Sequence, residues 1–327
     1  MHASRFCCWL LAVVSCLLVA PAAEGQWVTQ ELTLRPGWNA VYLTVQPEPR
    51  KCEAVFNGLP IKSVWSWNKR FRPDQFVRDP SNLVPQSEAW LTWFPADSYN
   101  AFLTSLYALR GGKAYLIEVT GAEPVTWRVK GETVVKKTDW NPDAFNLTGF
   151  YVDPESPPNM QQFLEADKSL RGQTVRRLTA DGRWVEVTDT SAASIQPNEA
   201  YLVYCKGASE YMGPLAVEPE YLDGLDYGLD MREQRLTLRN NTDRKKTVRI
   251  ELEPSQRGET EGRTPLAGDV VLYYKRLVSW EKLDGTLEMS VAPDGEGDVR
   301  FAVRRAEMAT PPTEDARFES TLKITDD

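Results

Sequence analysis

The chain has 327 residues, with 38 Lys and Arg against 46 Asp and Glu, a formal charge of −8 and a pI near 5.1. That acidic balance leaves no basic face for nucleic acid, and this partner class is excluded. Apolar residues make up 42% and aromatics 10%, enough for packed cores, so a disordered chain is excluded as well.

The first residues read as a signal peptide, 1–25. Arg5 is the positive start, Phe6 to Ala20 is an apolar run too short to span a bilayer, and Ala23-Glu24-Gly25 offers the small residues of a cleavage site. Val13-Val14-Ser15-Cys16 is an alternative lipobox that would leave a lipid on Cys16. The apolar run continues past it through Leu17, Leu18 and Val19, which suits ordinary cleavage better. The expected location is exported: extracellular, cell surface or periplasmic. No second apolar stretch approaches membrane-spanning length, so no transmembrane segment is expected in the mature chain.

Cleavage also removes chemistry. The single histidine, His2, leaves with the signal, and with it any imidazole base or histidine metal ligand. Cys7, Cys8 and Cys16 leave too. Cys52 and Cys205 remain, either as a disulfide or as two buried free thiols. No nucleophile elbow, phosphate-binding glycine loop or dinucleotide fingerprint is present.

Residues 26–137 read as a first β-rich unit. It opens on Leu32–Pro47, a loop, then an alternating strand, then a proline stop. Cys52 to Gly58 is a predicted short helix closed by glycine. Ile61–Trp67, Trp90–Phe94, Ala114–Val119 and Val125–Val129 are predicted strands, the last two joined by a turn at Gly121. Phe71–Phe94 holds Pro73, Pro80 and Pro85 in a proline-rich middle.

Residues 138–218 repeat that order with shorter connections. Trp38-Asn39 falls on Phe145-Asn146, Pro47 on Pro154, and Ala114-Tyr115-Leu116 on Ala200-Tyr201-Leu202. A helix is predicted over Asn159–Leu170 with Met160, Phe163, Leu164 and Leu170 inward. Val175–Leu178 and Trp184–Val187 form a predicted hairpin around Asp181-Gly182. Duplication explains the match.

An acidic linker is assigned to 219–230. Beyond it, 231–327 reads as an immunoglobulin-like β-sandwich from strands at regular spacing. Its last strand meets Asp326-Asp327 with no partner strand after it, so the chain is expected to continue in a longer multidomain protein. The fold class is therefore mainly β: two homologous units, each with a short helix, then a sandwich.

Pro36-Gly37-Trp38-Asn39, the second asparagine-containing copy, Tyr204-Cys205-Lys206-Gly207 and the following sandwich together resemble uncharacterised exported bacterial multidomain surface or extracellular proteins. The resemblance implies a modular architecture and brings no catalytic or ligand residues with it.

Glu186, Asp189 and Glu199 are candidates for a glycosidase pair, but exposed acids are plentiful in an acidic chain. Asp294-Gly295-Glu296-Gly297-Asp298 has calcium-like spacing but puts Arg305 where a bidentate acid belongs, and reads as a hairpin tip. Asp223, Asp226 and Asp230 read as a solvated linker, and Arg244-Lys245-Lys246 as a solvated turn. Asn146 and Asn240 begin glycosylation sequons. Trp65, Trp67, Trp90 and Trp93 either mark buried strand faces or offer an aromatic platform for sugar rings. The expectation is a non-catalytic structural or adhesive module without cofactor or metal. Its expected partners are other surface components, polysaccharide among them; the alternative is a carbohydrate-binding module on those tryptophans.

Overall fold

A strand whose apolar residues run unbroken must be covered on both faces. Two such runs, Ala114-Tyr-Leu-Ile117 and Ala200-Tyr-Leu-Val203, lie inside the two largest N-terminal sheets. The computed structural model describes residues 27–68, 90–134, 137–221, 224–255, 266–311 and 317–327. The predicted signal peptide and most of the proline-rich middle lie outside these residues. The protein is mainly β and built from several antiparallel sheets.

In the first segment, β1 (Trp27–Leu34), β7 (Val125–Thr133) and β3 (Val45–Pro47) make a small sheet in that order. A second sheet is ordered β2 (Gly37–Leu43), β6 (Lys113–Val119), β4 (Ile61–Trp67) and β5 (Trp90–Trp93). The short helix α1 (Cys52–Val55) helps close a core of Leu32, Leu34, Leu43, Phe56, Val64, Ile117 and Trp127. In the second segment a four-stranded sheet runs β8 (Ala144–Gly149), β11 (Ala200–Cys205), β9 (Val175–Leu178) and β10 (Trp184–Glu186). Helix α2 (Met160–Leu164) covers one face, burying Met160, Phe163 and Leu164 beside Phe150 and Tyr201. Asn159 caps it and Gln162 closes the capping box. Both four-stranded sheets thus have the spatial order first, last, second, third, with a helix between first and second strands.

The two large sheets meet face to face. Ala40, Tyr42, Trp65, Trp90 and Leu116 from one pack against Trp184, Ala200 and Leu202 from the other. Strand β2 is an edge strand, and its outward amides are satisfied by the second segment: Trp38 N–H donates to Ala180 O and Tyr42 N–H to Asn198 O, both at 2.8 Å. That covers an edge otherwise open to stray pairing. Gly37, with φ +84, is required here because a Cβ would sit 2.3 Å from Ala180 O.

Two asparagines hold the loops before β2 and β8 in the same way. Asn39 Oδ1 accepts from Arg35 N–H (2.9 Å) and its Nδ2 donates to Arg35 O (2.8 Å). Asn146 does the same to Asn141, at 2.8 and 3.1 Å. Asn146 is buried and Asn39 half-buried, so loss of the side chain strands more unsatisfied backbone at Asn146. Asn146→Ala is expected to cost about 2 kcal/mol and Asn39→Ala about 1 kcal/mol, read by urea denaturation. Equal small losses would show the loop is held by something else.

The C-terminal segment has a five-stranded sheet, β12 (Leu215–Pro219), β13 (Glu233–Asn240), β19 (Glu296–Val303), β16 (Leu272–Arg276) and β17 (Ser279–Lys282). A three-stranded sheet is ordered β18 (Leu287–Val291), β14 (Lys246–Pro254) and β21 (Ser320–Asp326). Leu236, Leu238, Phe301, Val248, Ile250 and Val291 fill the core they share. Short β15 (Leu266–Gly268) and β20 (Arg317–Phe318) pair in parallel.

Pairing departs from expectation at four places. Leu32–Leu34, expected as the opening of a loop, instead end strand β1. Strands β6 and β7 form no hairpin, because the Gly121 turn sends them into different sheets. Residues 215–219, assigned to the second unit and linker, pair with β13. Residues 292–295 connect two sheets rather than tip a hairpin, since β18 pairs with β14 and β19 with β13.

Candidate functional site

Among the described residues, the connection from β5 to β6 shows solvent a run of large apolar side chains. Tyr99 is 92% exposed, Phe102 77% and Tyr107 71%, with Leu103 half-exposed between them. A run of large apolar side chains held outward is uncommon without a binding role. The loop itself is firmly held. Thr92 O accepts from Ser105 N–H (2.7 Å) and Leu106 N–H (2.8 Å), and Thr92 Oγ1 donates to Leu103 O (3.0 Å). Tyr107 O accepts from Cys52 N–H, and Leu109 N–H donates to Arg50 O at 2.8 Å. Leu106 and Leu109 are buried in the first core. A 3-10 turn, Ala101–Leu103, sets Tyr99 and Phe102 edge to face, their centroids 6.4 Å apart at 90°. The aromatics are therefore displayed on a fixed base, which limits the entropy lost on binding.

In the second segment the loop between β10 and β11 has the same anchors and none of the display. Ile195 is buried where Leu109 is, and the bridges Lys51↔Ala108 and Asn159↔Ser194 sit alike. Tyr115 and Tyr201 each accept, through the hydroxyl, the amide five residues earlier, at 2.7 and 2.8 Å. Burial raises both hydroxyls well above the usual tyrosine range.

The strand tryptophans lie largely inside. Trp65 and Trp90 belong to the core between the large sheets and Trp93 to the first core, all less than a tenth exposed. Trp67 is half-buried against Trp90 at 72°. Three of the four rings thus offer no face to a sugar, and Trp67 with Trp90 makes no common plane. Strand propensity and burial explain these residues.

The acidic candidates are engaged locally. Asp189 caps its own turn through Ser191 and Ala192, and the Ser191 hydrogen bond holds its carboxyl below the usual range. Glu199 binds Arg177 at 2.7 Å and accepts from the Tyr201 hydroxyl at 2.9 Å. Glu186 is exposed on β10. Glu296 pairs with Arg239 (2.8 Å), and Asp298 accepts from Thr237 (2.7 Å). Asp226 caps Gly228, while Asp223 lies outside the described residues. Among the described residues no cluster of acids, cysteines or histidine has metal-binding geometry. Of the basic run, Lys246 is largely covered and paired with Asp326.

Cys52 and Cys205 are free and buried in separate cores, where burial pushes the thiols up to about 12 and about 11. The sequon asparagines Asn146 and Asn240 are buried with their amides hydrogen-bonded to backbone, so neither presents a nitrogen for modification. Among the described residues no helix is long and apolar enough to cross a membrane. Neither a family model, nor a curated relative, nor a solved structure matches this chain.

Proposed function

We propose that this chain is a non-catalytic adhesive module of an exported surface or extracellular protein, and that it grips a protein partner through the Tyr99–Tyr107 loop. The observation that carries the reading is the aromatic display itself: Tyr99, Phe102, Leu103 and Tyr107 held outward by a hydrogen-bonded base. Tyrosine and phenylalanine anchors of this kind concentrate binding energy when a partner desolvates them. The perpendicular setting of Tyr99 and Phe102 favours apolar pockets over a flat sugar face.

The module is read as two duplicated β units followed by an immunoglobulin-like sandwich. Support for duplication comes from the common strand order, the paired Asn39 and Asn146 staples and the Tyr115 and Tyr201 hydroxyl bonds. Support for the sandwich comes from two antiparallel sheets closing on one core.

The test is adhesion of the purified chain to immobilised extracellular proteins and to polysaccharides, beside a Tyr99→Ser, Phe102→Ser, Tyr107→Ser variant. Each anchor lost should weaken capture by about thirtyfold where it is a hot spot, with stability changed by less than about 0.5 kcal/mol. Capture by protein that survives the triple change would overturn the assignment of the loop. Capture by polysaccharide alone would move the module to the carbohydrate class.

A further inference from the structure

The β16–β17 hairpin ends in a pair of residues that gain nothing from the rest of the chain. Arg276 pairs with Ser279, leaving Leu277 and Val278 as a two-residue loop. Their side chains are 91% and 95% exposed. Leu277 has φ +51, in a region that leucine enters only under strain, at a position where hairpins prefer glycine or asparagine. Strain held by a fold at an exposed apolar residue points to a use outside the fold.

The surroundings define that use. Lys275 and Arg276 stand immediately behind the tip on β16, exposed, and Lys282 is exposed on β17. Trp280 is half-buried on β17, with Lys275 Nζ 5.7 Å from its ring centroid. The one carboxylate on the hairpin strands, Glu281, accepts from the Tyr274 hydroxyl at 2.7 Å and binds Arg276 at 3.4 Å. The hairpin strands carry three cations against one anion in a chain of net charge −8. Glu307, which accepts from the Tyr273 hydroxyl, and Asp284 lie toward its base with Arg304, so the positive excess is that of Lys275 and Arg276 at the tip end. An apolar apex, a cationic collar and an aromatic ring at collar height match the layers of a bilayer surface: acyl chains, phosphates and headgroup boundary. The apex is convex and presents no directional hydrogen-bonding group of its side chains, which favours a fluid surface over a shaped protein pocket.

We propose that the β16–β17 hairpin is a membrane-contact tip that inserts Leu277 and Val278 into an anionic lipid surface. Contact through one tip is weak and reversible, adding to any grip the aromatic loop supplies.

The experiment is co-sedimentation of the chain with vesicles of phosphatidylglycerol and phosphatidylcholine, and with phosphatidylcholine alone. The chain should partition onto the anionic vesicles and leave them as salt rises. Leu277→Gly with Val278→Ser should lower partitioning roughly tenfold, while the thermal midpoint holds or rises because glycine relieves the positive φ. Lys275→Gln and Arg276→Gln should each lower it roughly fivefold. Absence of sedimentation with either vesicle, or equal sedimentation of the Leu277/Val278 variant, overturns the proposal and leaves the tip to a protein pocket.

Discussion

Gly149→Ala is expected to destabilise the protein by about 3 kcal/mol, although it adds one methyl group to a strand. Gly149 ends β8 directly against Tyr42 of β2. A Cβ there would lie 2.3 Å from Tyr42 Cβ, 2.5 Å from Tyr42 Cγ and 2.7 Å from Glu199 O. None of these can swing away as a flexible chain end does. Tyr42 is buried, its amide is tied to Asn198 O, and its ring packs edge-on to Tyr151 at 5.8 Å. The methyl fits only if the sheets part, which opens the layer of Trp65, Trp90, Trp184 and Leu202 between them. Gly172 is the control: it has φ +66 and nothing within 4 Å of a Cβ, so alanine there costs only local strain, about 1 kcal/mol. Urea denaturation of both variants measures the difference. Gly149→Ala as stable as the parent would mean that the sheets are not packed this closely.

Much of this architecture is readable from residue order, and the failures have physical causes. The strand after Pro36-Gly37, the glycine-closed helix and the Asp181-Gly182 turn depend on local chemistry and appear where it puts them, whereas β8 ends at Gly149, short of Pro154, and α2 ends at Leu164, short of Leu170. Pairing depends on burial at a distance, which local residue order does not carry. The turn at Gly121 looks like a hairpin, yet β6 and β7 join different sheets. Their compositions did carry the distinction. Ala114 to Ile117 is apolar without a break and needs cover on both faces, while β7 buries Trp127, Val129 and Gly131 in alternation and needs one. Strand β1 alternates Gln30, Leu32 and Leu34 inward with Glu31 and Thr33 outward, the strand period, but it runs directly into the Pro36-Gly37 turn and its end reads as one loop with it.

The exposed aromatic loop was harder to see for a different reason. Residue type does not encode exposure: tryptophans that could stack on a sugar are mostly core, while Tyr99, Phe102 and Tyr107 face solvent. The available signal was negative. Asn100-Ala-Phe-Leu-Thr-Ser-Leu-Tyr107 follows neither strand nor helix period, so its apolar residues have no common face to bury.

The second large effect concerns the core beneath that surface. Trp127→Ala should cost about 3–5 kcal/mol. The Trp127 ring is 2% exposed, sits opposite Leu32 in the β1–β7 pair, and packs 4.9 Å from the Phe56 ring, which in turn packs 5.2 Å from Trp93. Truncation removes an indole from a core shared by α1, the small sheet and the large one and leaves a cavity there. Trp127→Phe should be far milder, because the indole N–H is buried without a hydrogen-bond partner among the described residues and removing it relieves an unsatisfied donor. The consequence reaches the loop. Leu106 and Leu109, which anchor Tyr99–Tyr107, are buried in the same core as Trp127, so loosening that core should weaken adhesion without touching an exposed ring. The C-terminal sheets keep their own core of Leu238, Ile250 and Phe301, and calorimetry of Trp127→Ala should show an early transition separate from theirs. A single unshifted transition with adhesion intact would break the link between this core and the surface above it.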